Sequence, residues 1–309
     1  MSSTIPHVQT IDDKPRGRLS VILRMLWHDK FACCAAVFLI VAVLCAVFGP
    51  MLMGDTAVSM NLRARNLAPF TVDKGWLFVL GADALGRSLL ARIIVASQNT
   101  LMIAAGAVVC SAVIGSLLGL VAGYASERVS NIIMRLADVI MSFPSLLVAV
   151  IVLYILGSSI LNLMLVLSIT RIPVYLRTTR AEVLEIKSRM FVQAARVMGA
   201  SSKRILFRHI LPVVFPTLMT LATLDFAYVM LAESALSFLG IGIQPPEITW
   251  GLMISQGRQY LTNAWWLSFW PGLAIILTTL SLNLLSNWLR IALDPVQRWR
   301  LEMKGSKHG

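Results

Sequence analysis

Charge and chemistry-bearing side chains are scarce in this chain of 309 residues. Only 14% are charged and 57% are hydrophobic, with a mean hydropathy of +0.77. That balance excludes a soluble core cut into ordinary domains, in which about 25% of residues carry charge. The apolar residues come in continuous runs rather than alternating with polar ones, which excludes a membrane β-barrel. The four cysteines, Cys33, Cys34, Cys45 and Cys110, all fall inside apolar runs and offer neither a disulfide framework nor metal-ligand spacing. His7, His28, His209 and His308 stand apart from Cys, Asp and one another, so no metal site and no catalytic set is expected. No Gly-x-x-x-x-Gly-Lys-Ser/Thr phosphate loop occurs, so the chain is expected to bind no cofactor of its own. There is also no cleavable leader pattern: about thirty mostly polar residues precede the first apolar run, which is long enough to stay as an anchor.

What the chain has instead is length of apolar sequence. Several runs reach the ~20 residues that a helix needs to cross ~30 Å of hydrocarbon. The reading is an all-α polytopic membrane protein with six transmembrane helices. They are placed at Phe31 to Met53, Thr100 to Ala122, Ile132 to Leu156, Ile160 to about Leu176, Val213 to Phe238 and Trp265 to Leu289. Residues 1–30 form a polar tail, with Val21 to Trp27 along the headgroups. Residues 31–98 hold the first span and an extramembrane segment, and 99–290 the five-helix core with its loop at 181–212. Residues 291–309 form a second tail. The extramembrane segment ends in a stretch with Leu85, Leu89, Leu90, Ile93 and Ile94 on a face opposite Arg87 and Arg92, the pattern of an interfacial helix. Gly106, Gly115, Gly119 and Gly123 on the second span are spaced for close helix approach.

The net charge of +12 evokes nucleic acid, but in a membrane chain the location of Lys and Arg decides. With six spans both termini share one side, which carries 21 of the 27 Lys and Arg; the other side carries 6. The bias places the termini and the 181–212 loop in the cytoplasm. Trp265, Trp266 and Trp270 then mark the outer interface and Trp288 the inner one.

The loop is the longest water-compatible stretch in the second half. Phe191, Ala194/Ala195 and Met198 recur at helical spacing, Gly199 suits a left-handed helix end, and Ser201 or Ser202 caps the next start. The second helix carries Lys203, Arg204 and Arg208 and ends at Leu211-Pro212, where a new helix begins. A helix-Gly-helix knuckle between two spans reads as a docking surface.

Gln193-Ala194-Ala195, Gly199 and Leu211-Pro212, at this spacing, resemble the "EAA" loop of the permease subunits of bacterial ATP-binding-cassette importers. With Gly81-Ala82-Asp83-Ala84-Leu85-Gly86-Arg87 and Ala232-Glu233-Ser234-Ala235-Leu236-Ser237-Phe238-Leu239-Gly240, the chain resembles the dipeptide/oligopeptide/nickel branch. Within that branch it is similar to the second permease subunit, which has an N-terminal transmembrane extension. The resemblance covers nearly the whole chain and implies a type I importer permease fold in the bacterial inner membrane. It also implies a second homologous permease, two cytoplasmic ATPases that hold ATP and Mg, and an extracytoplasmic substrate-binding protein as partners, beside membrane lipids and without nucleic acid. Gln193, Ala194, Ala195, Arg196, Met198, Gly199, Ser201, Lys203, Leu211 and Pro212 would form the ATPase-coupling surface. Gln193 departs from the family's usual Glu, leaving an uncharged hydrogen bond in place of a salt bridge. Peptide is the implied cargo; nickel is the alternative, although no intramembrane His/Cys cluster speaks for a metal.

Charged residues at depth are costly, about 2.5–3.5 kcal/mol at the bilayer centre, so each needs a partner or water. Asp138 has Arg135 three residues before it as an i,i+3 partner, and Arg171, near the inner end of its span, snorkels. Asp225 and Glu233 lack an obvious basic partner at depth. Asp138, Asp225 and Glu233 are the candidates for the translocation path or a gate, with Glu233 favoured for gating or packing over substrate contact. Three rival readings remain: a DNA-binding helix-turn-helix, a loop that only sets topology, and an ion-driven secondary transporter. The first fails because Pro212 leads straight into the membrane, and the last expects an internal repeat that is not evident.

Overall fold

The computed structural model describes residues 25–27, 29–71 and 75–293. The polar N-terminal stretch, most of the headgroup segment from Val21 and the basic tail from residue 294 lie outside the described residues. Among the described residues the regular structure is helical: α1 Lys30–Val58, α2 Leu89–Tyr124, α3 Glu127–Met141, α4 Ser145–Leu156, α5 Ile160–Ile186, α6 Met190–Val197, α7 Leu211–Phe238, α8 Trp250–Gly257 and α9 Trp266–Leu293. Five helices are long and apolar enough to cross a membrane, and the bent pair α3–α4 brings the number to six.

The spans differ from the sequence expectation in ways that local chemistry explains. The interfacial helix does not exist as a separate element. Ser88 caps a helix, its Oγ accepting from the Ala91 amide at 3.2 Å, and that helix runs unbroken to Tyr124. Nothing in Ala91 to Asn99 breaks a helix, so the polar patch simply extends the span. Conversely, the third span is broken. Pro144 disfavours helical geometry at Phe143, and α3 and α4 meet at 80°. The 12 residues of α4 cover only about 18 Å. The fourth span runs ten residues beyond Leu176, to Ile186, which moves Arg171 from the end of a helix to its middle.

Close packing centres on α2 and α5. A Cβ on Gly115 would stand 2.6 Å from Tyr175 Cβ, and one on Gly119 2.5 Å from Thr179 Cβ. Their absence lets the two backbones touch, as the glycine spacing on the second span predicts. One buried cluster, including Ile103, Leu163, Met230 and Trp250, fills the half of the bundle away from the knuckle. A second, including Leu120, Tyr175, Ile186, Val192, Ile205 and Ile210, fills the half beneath the knuckle. The start of α1 meets the end of α9 through Ala32, Trp288 and Ala292.

On the side away from the knuckle, residues 59–88 fold around one carboxylate. Asp83 Oδ1 accepts from the amides of Leu85 and Arg87, each at 2.9 Å, and Oδ2 accepts from Arg87 Nε at 2.7 Å and from Arg92 Nη1. Arg92 donates onward to Gln256 of α8 at 3.1 Å. Arg92 is therefore buried, 3% exposed, rather than on a water-facing side opposite the leucines. Burial alone would raise the Asp83 pKa; the Arg87 amide and the guanidinium charges of Arg92 and Arg87 outweigh it and hold the carboxyl below its ordinary value. The loop needs its glycines: Gly86 has φ +76°, and a Cβ there would collide with the Asn61 carbonyl.

Candidate functional site

The knuckle is a short helix fastened on one face and open on the other. α6 ends in a Schellman motif: the Gly199 amide donates to the Arg196 carbonyl and the Ala200 amide to the Ala195 carbonyl, each at 3.0 Å, with Gly199 at φ +82°. Ser201 then caps the next turn, its Oγ accepting from the Arg204 amide at 3.4 Å. The buried face is Val192 and Ala195, with Val192 in one cluster with Ile205 and Ile210. This corrects the expected face: Phe191 is 43% and Met198 81% exposed, and Met190 and Val197 are exposed to 84% and 88%. The periodicity was right and the phase was wrong, because both faces of this eight-residue helix are apolar.

The second half of the knuckle is no separate helix. One turn at Ser202–Arg204 passes into a π-helical stretch, Ile205–Ile210, and on into α7, giving a continuous rod from Ser202 to Phe238. The expected break at Leu211-Pro212 is absent. A proline ring clashes with the carbonyl four residues earlier in a regular helix, and the wider π turn before Pro212 accommodates it. The knuckle is thus joined rigidly to a membrane span.

Individual residues fall as follows. Gln193 is exposed and donates from Nε2 to the Ser188 carbonyl at 3.0 Å. Ala194 is exposed and Ala195 buried; Lys203, Arg204 and Arg208 are exposed. Leu211 is half-buried and Pro212 exposed on the first turn of α7. Arg196 turns back to Tyr124 at the end of α2, with its guanidinium 5.7 Å from the ring centre. Lys187 Nζ donates to the Gly123 carbonyl at 3.0 Å, a cation at a helix C-terminus. Tyr124 and Lys187 join the site only through contacts between residues far apart in the chain, which no local sequence signal marks.

At depth the charged residues pair across helices, not along them. Asp138 pairs with Arg177 of α5 rather than with Arg135, and the two side chains are 56% and 42% exposed. Arg171 does not snorkel. It grips Asp225 through Nε, 3.2 Å from Oδ2, and through Nη2 to Oδ1. Asp225 therefore has the basic partner it was expected to lack. Arg171 also stacks on Tyr228, 4.3 Å to the ring centre, and the Tyr228 hydroxyl shares a 3.0 Å hydrogen bond with Ser145 at the α3–α4 break. Breaking such a buried pair costs about 3–5 kcal/mol, because one charge is left uncompensated.

Glu233 is enclosed, with 0% exposure. Its Oε1 accepts from Ser237 Oγ at 2.8 Å, and Ser234 Oγ, which donates to the Met230 carbonyl at 2.9 Å, lies 3.3 Å from Oε2. The Thr249 hydroxyl is a third neighbour, itself accepting from the Leu252 amide at the cap of α8. In this conformation Glu233 joins α7 to α8 and faces no solvent. Among the described residues no group of three or more His, Cys, Asp or Glu side chains is placed to hold a metal ion.

Comparison with known proteins fits this architecture. Residues 115–299 match the family described as the binding-protein-dependent transport system inner membrane component. The chain is 40% identical over 274 residues to the di/tripeptide transport system permease protein DppC of Pseudomonas aeruginosa, covering 87% of this chain and 89% of that one. It is 36% identical over 271 residues to the probable D,D-dipeptide transport system permease protein DdpC of Escherichia coli K12, covering 88% and 89%. It is 33% identical over 296 residues to the glutathione transport system permease protein GsiD of Pectobacterium atrosepticum, covering 96% of both chains. A broken span, a capped knuckle on a continuous rod and these matches lead to one conclusion: the chain belongs to the binding-protein-dependent inner-membrane components, as a multi-pass permease of a bacterial ATP-binding-cassette importer.

Proposed function

We propose that this permease forms half of a path for peptides across the bacterial inner membrane, beside a second homologous permease. Two ATPases, which bind ATP and Mg, dock on the knuckle from the cytoplasm, and an extracytoplasmic binding protein delivers the cargo. The observation that carries the docking reading is the pairing of exposure with rigidity. Met190, Val197 and Met198 present apolar side chains more than 80% exposed, on a helix whose other face is locked to a rod ending at Phe238. A helix with an apolar patch turned to water marks an interaction site, and a rod fixed to it converts a push into motion of the span. Gln193, Ala194, Arg196, Met198, Gly199, Ser201 and Lys203 lie on or beside that surface; Ala195 is buried beneath it, and Leu211 and Pro212 stand on the first turn of α7. Peptide cargo is supported by the names of the relatives at 33–40% identity, all of which transport peptides or glutathione.

The test is reconstitution of the chain with its partner permease, ATPases and binding protein in vesicles. ATP inside is expected to drive dipeptide uptake, with none when the ATPases are omitted. Uptake by this chain alone on an ion gradient contradicts the reading.

A further inference from the structure

Two helices meet at mid-depth around Arg171 and Asp225. Arg171 lies about 17 Å along α5 and Asp225 about 20 Å from the far end of α7. The pair is fixed but not closed. Asp225 occupies Nε and one Nη2 hydrogen of the guanidinium, and among the described residues the rest of that fork has no hydrogen-bond partner. The Arg171 side chain is 19% exposed. Tyr228, beneath its flat face, is 39% exposed and holds Ser145. The fully buried Tyr175 hydroxyl lies beside Asp225, a further donor within reach of that carboxylate.

Asp138 of α3 and Arg177 of α5, both more than 40% exposed, form a second ion pair, about 120° around α5 from Arg171. Charged groups exposed inside the membrane face water or protein, not hydrocarbon.

We propose that Arg171, with Tyr228 and Ser145, is a transit subsite for the terminal carboxylate of a peptide. This rests on the peptide reading above. Asp225 holds the guanidinium between cargoes, so the path carries no bare positive charge. An arriving carboxylate takes the open edge of the fork, flanked by the Tyr228 and Ser145 hydroxyls. With the Tyr175 hydroxyl beside it, Asp225 keeps a donor as Arg171 shares itself between two carboxylates. Because guanidinium and Asp225 neutralise each other, the subsite holds its ligand weakly. A path needs this, since cargo must leave as readily as it enters.

The test uses the complex with partner permease and ATPases in nanodiscs, without binding protein. Cys33, Cys34, Cys45 and Cys110 are replaced by Ser, and Leu146→Cys, 41% exposed beside Ser145, reports by its rate of maleimide labelling. The probes are the dipeptide Ala-Ala and its C-terminal amide. The acid is expected to half-protect the thiol at about tenfold lower concentration than the amide, the worth of one charge-assisted hydrogen-bonded contact. Tyr228→Phe is expected to narrow that ratio. Arg171→Gln with Asp225→Asn, which removes both charges and leaves none stranded, is expected to abolish it. Equal protection by acid and amide, no protection by either, or a preference that survives the double variant overturns the subsite. ATP-driven uptake of Ala-Ala by the complete importer is measured in parallel. Uptake without a carboxylate preference sinks the subsite alone, whereas no uptake of any peptide by the unaltered protein sinks the peptide reading and the subsite with it.

Discussion

The two ends of α7 are built to opposite plans. At the far end, the ionisable groups are buried and tied by hydrogen bonds: Glu233 to Ser237 and Thr249, with Ser234 beside it, while nearby Asp83 gathers two amides and two guanidinium groups. At the knuckle end the basic groups are exposed, and apolar side chains are exposed beside them. A satisfied polar network fixes one arrangement of backbone, because every alternative strands a buried group. An exposed apolar face fixes nothing until another surface covers it. The far end therefore reads as scaffold, the knuckle as a handle.

Substitutions at the two ends should separate stability from association. The largest loss is expected from Asp83→Ala, which strands buried Arg92 and frees two amides. About 3–5 kcal/mol of stability goes, visible as a lowered Tm of the permease in detergent; an unchanged Tm would deny that the loop is organised on this carboxylate. The same group gives a pH dependence. Its folded-state pKa lies below the ordinary value, so its contribution is complete above the ordinary carboxylate range and is lost as pH falls through the depressed folded value. Acid melts below about pH 4 should therefore fall more steeply for the native protein than for Asp83→Asn.

Next in size is Gly119→Leu, which forces α2 from Thr179 and the Leu176 carbonyl and is expected to cost about 1–3 kcal/mol. Gly199→Ala is gentler. A Cβ there meets no atom within 4 Å, so only the left-handed backbone resists, at about 1 kcal/mol. If Gly199→Ala proves the more damaging to Tm, the turn is more tightly enclosed than its geometry shows. Smallest for stability is Val197→Asp, 88% exposed, expected to move stability by no more than about 0.5 kcal/mol.

Much of this was legible in the sequence, for physical reasons that also mark where legibility ended. Continuous apolar runs marked the spans, and the glycine spacing marked the face of α2 open to close approach, since both are properties of one helix. Gly199 announced a left-handed residue, and it closes a Schellman motif. Pairings across helices were not legible. A span ending at Leu176 puts Arg171 where it can snorkel; with α5 running to Ile186 the same residue sits mid-helix and must find a carboxylate, which Asp225 supplies. Asp138 was matched to Arg135 by adjacency, yet it turns to Arg177 on another helix. The break expected at Pro212 failed because a π turn absorbs the ring, and no local propensity announces a π turn.

The central claim is that the knuckle holds the ATPases through its exposed apolar side chains. Co-purification of the ATPases with Val197→Asp and Met198→Asp, set against the Tm of the permease itself, tests it most directly. The account predicts that the ATPases are lost while Tm stays within a degree or two, because both side chains are more than 80% exposed. ATPases retained in full, with uptake intact, would contradict it.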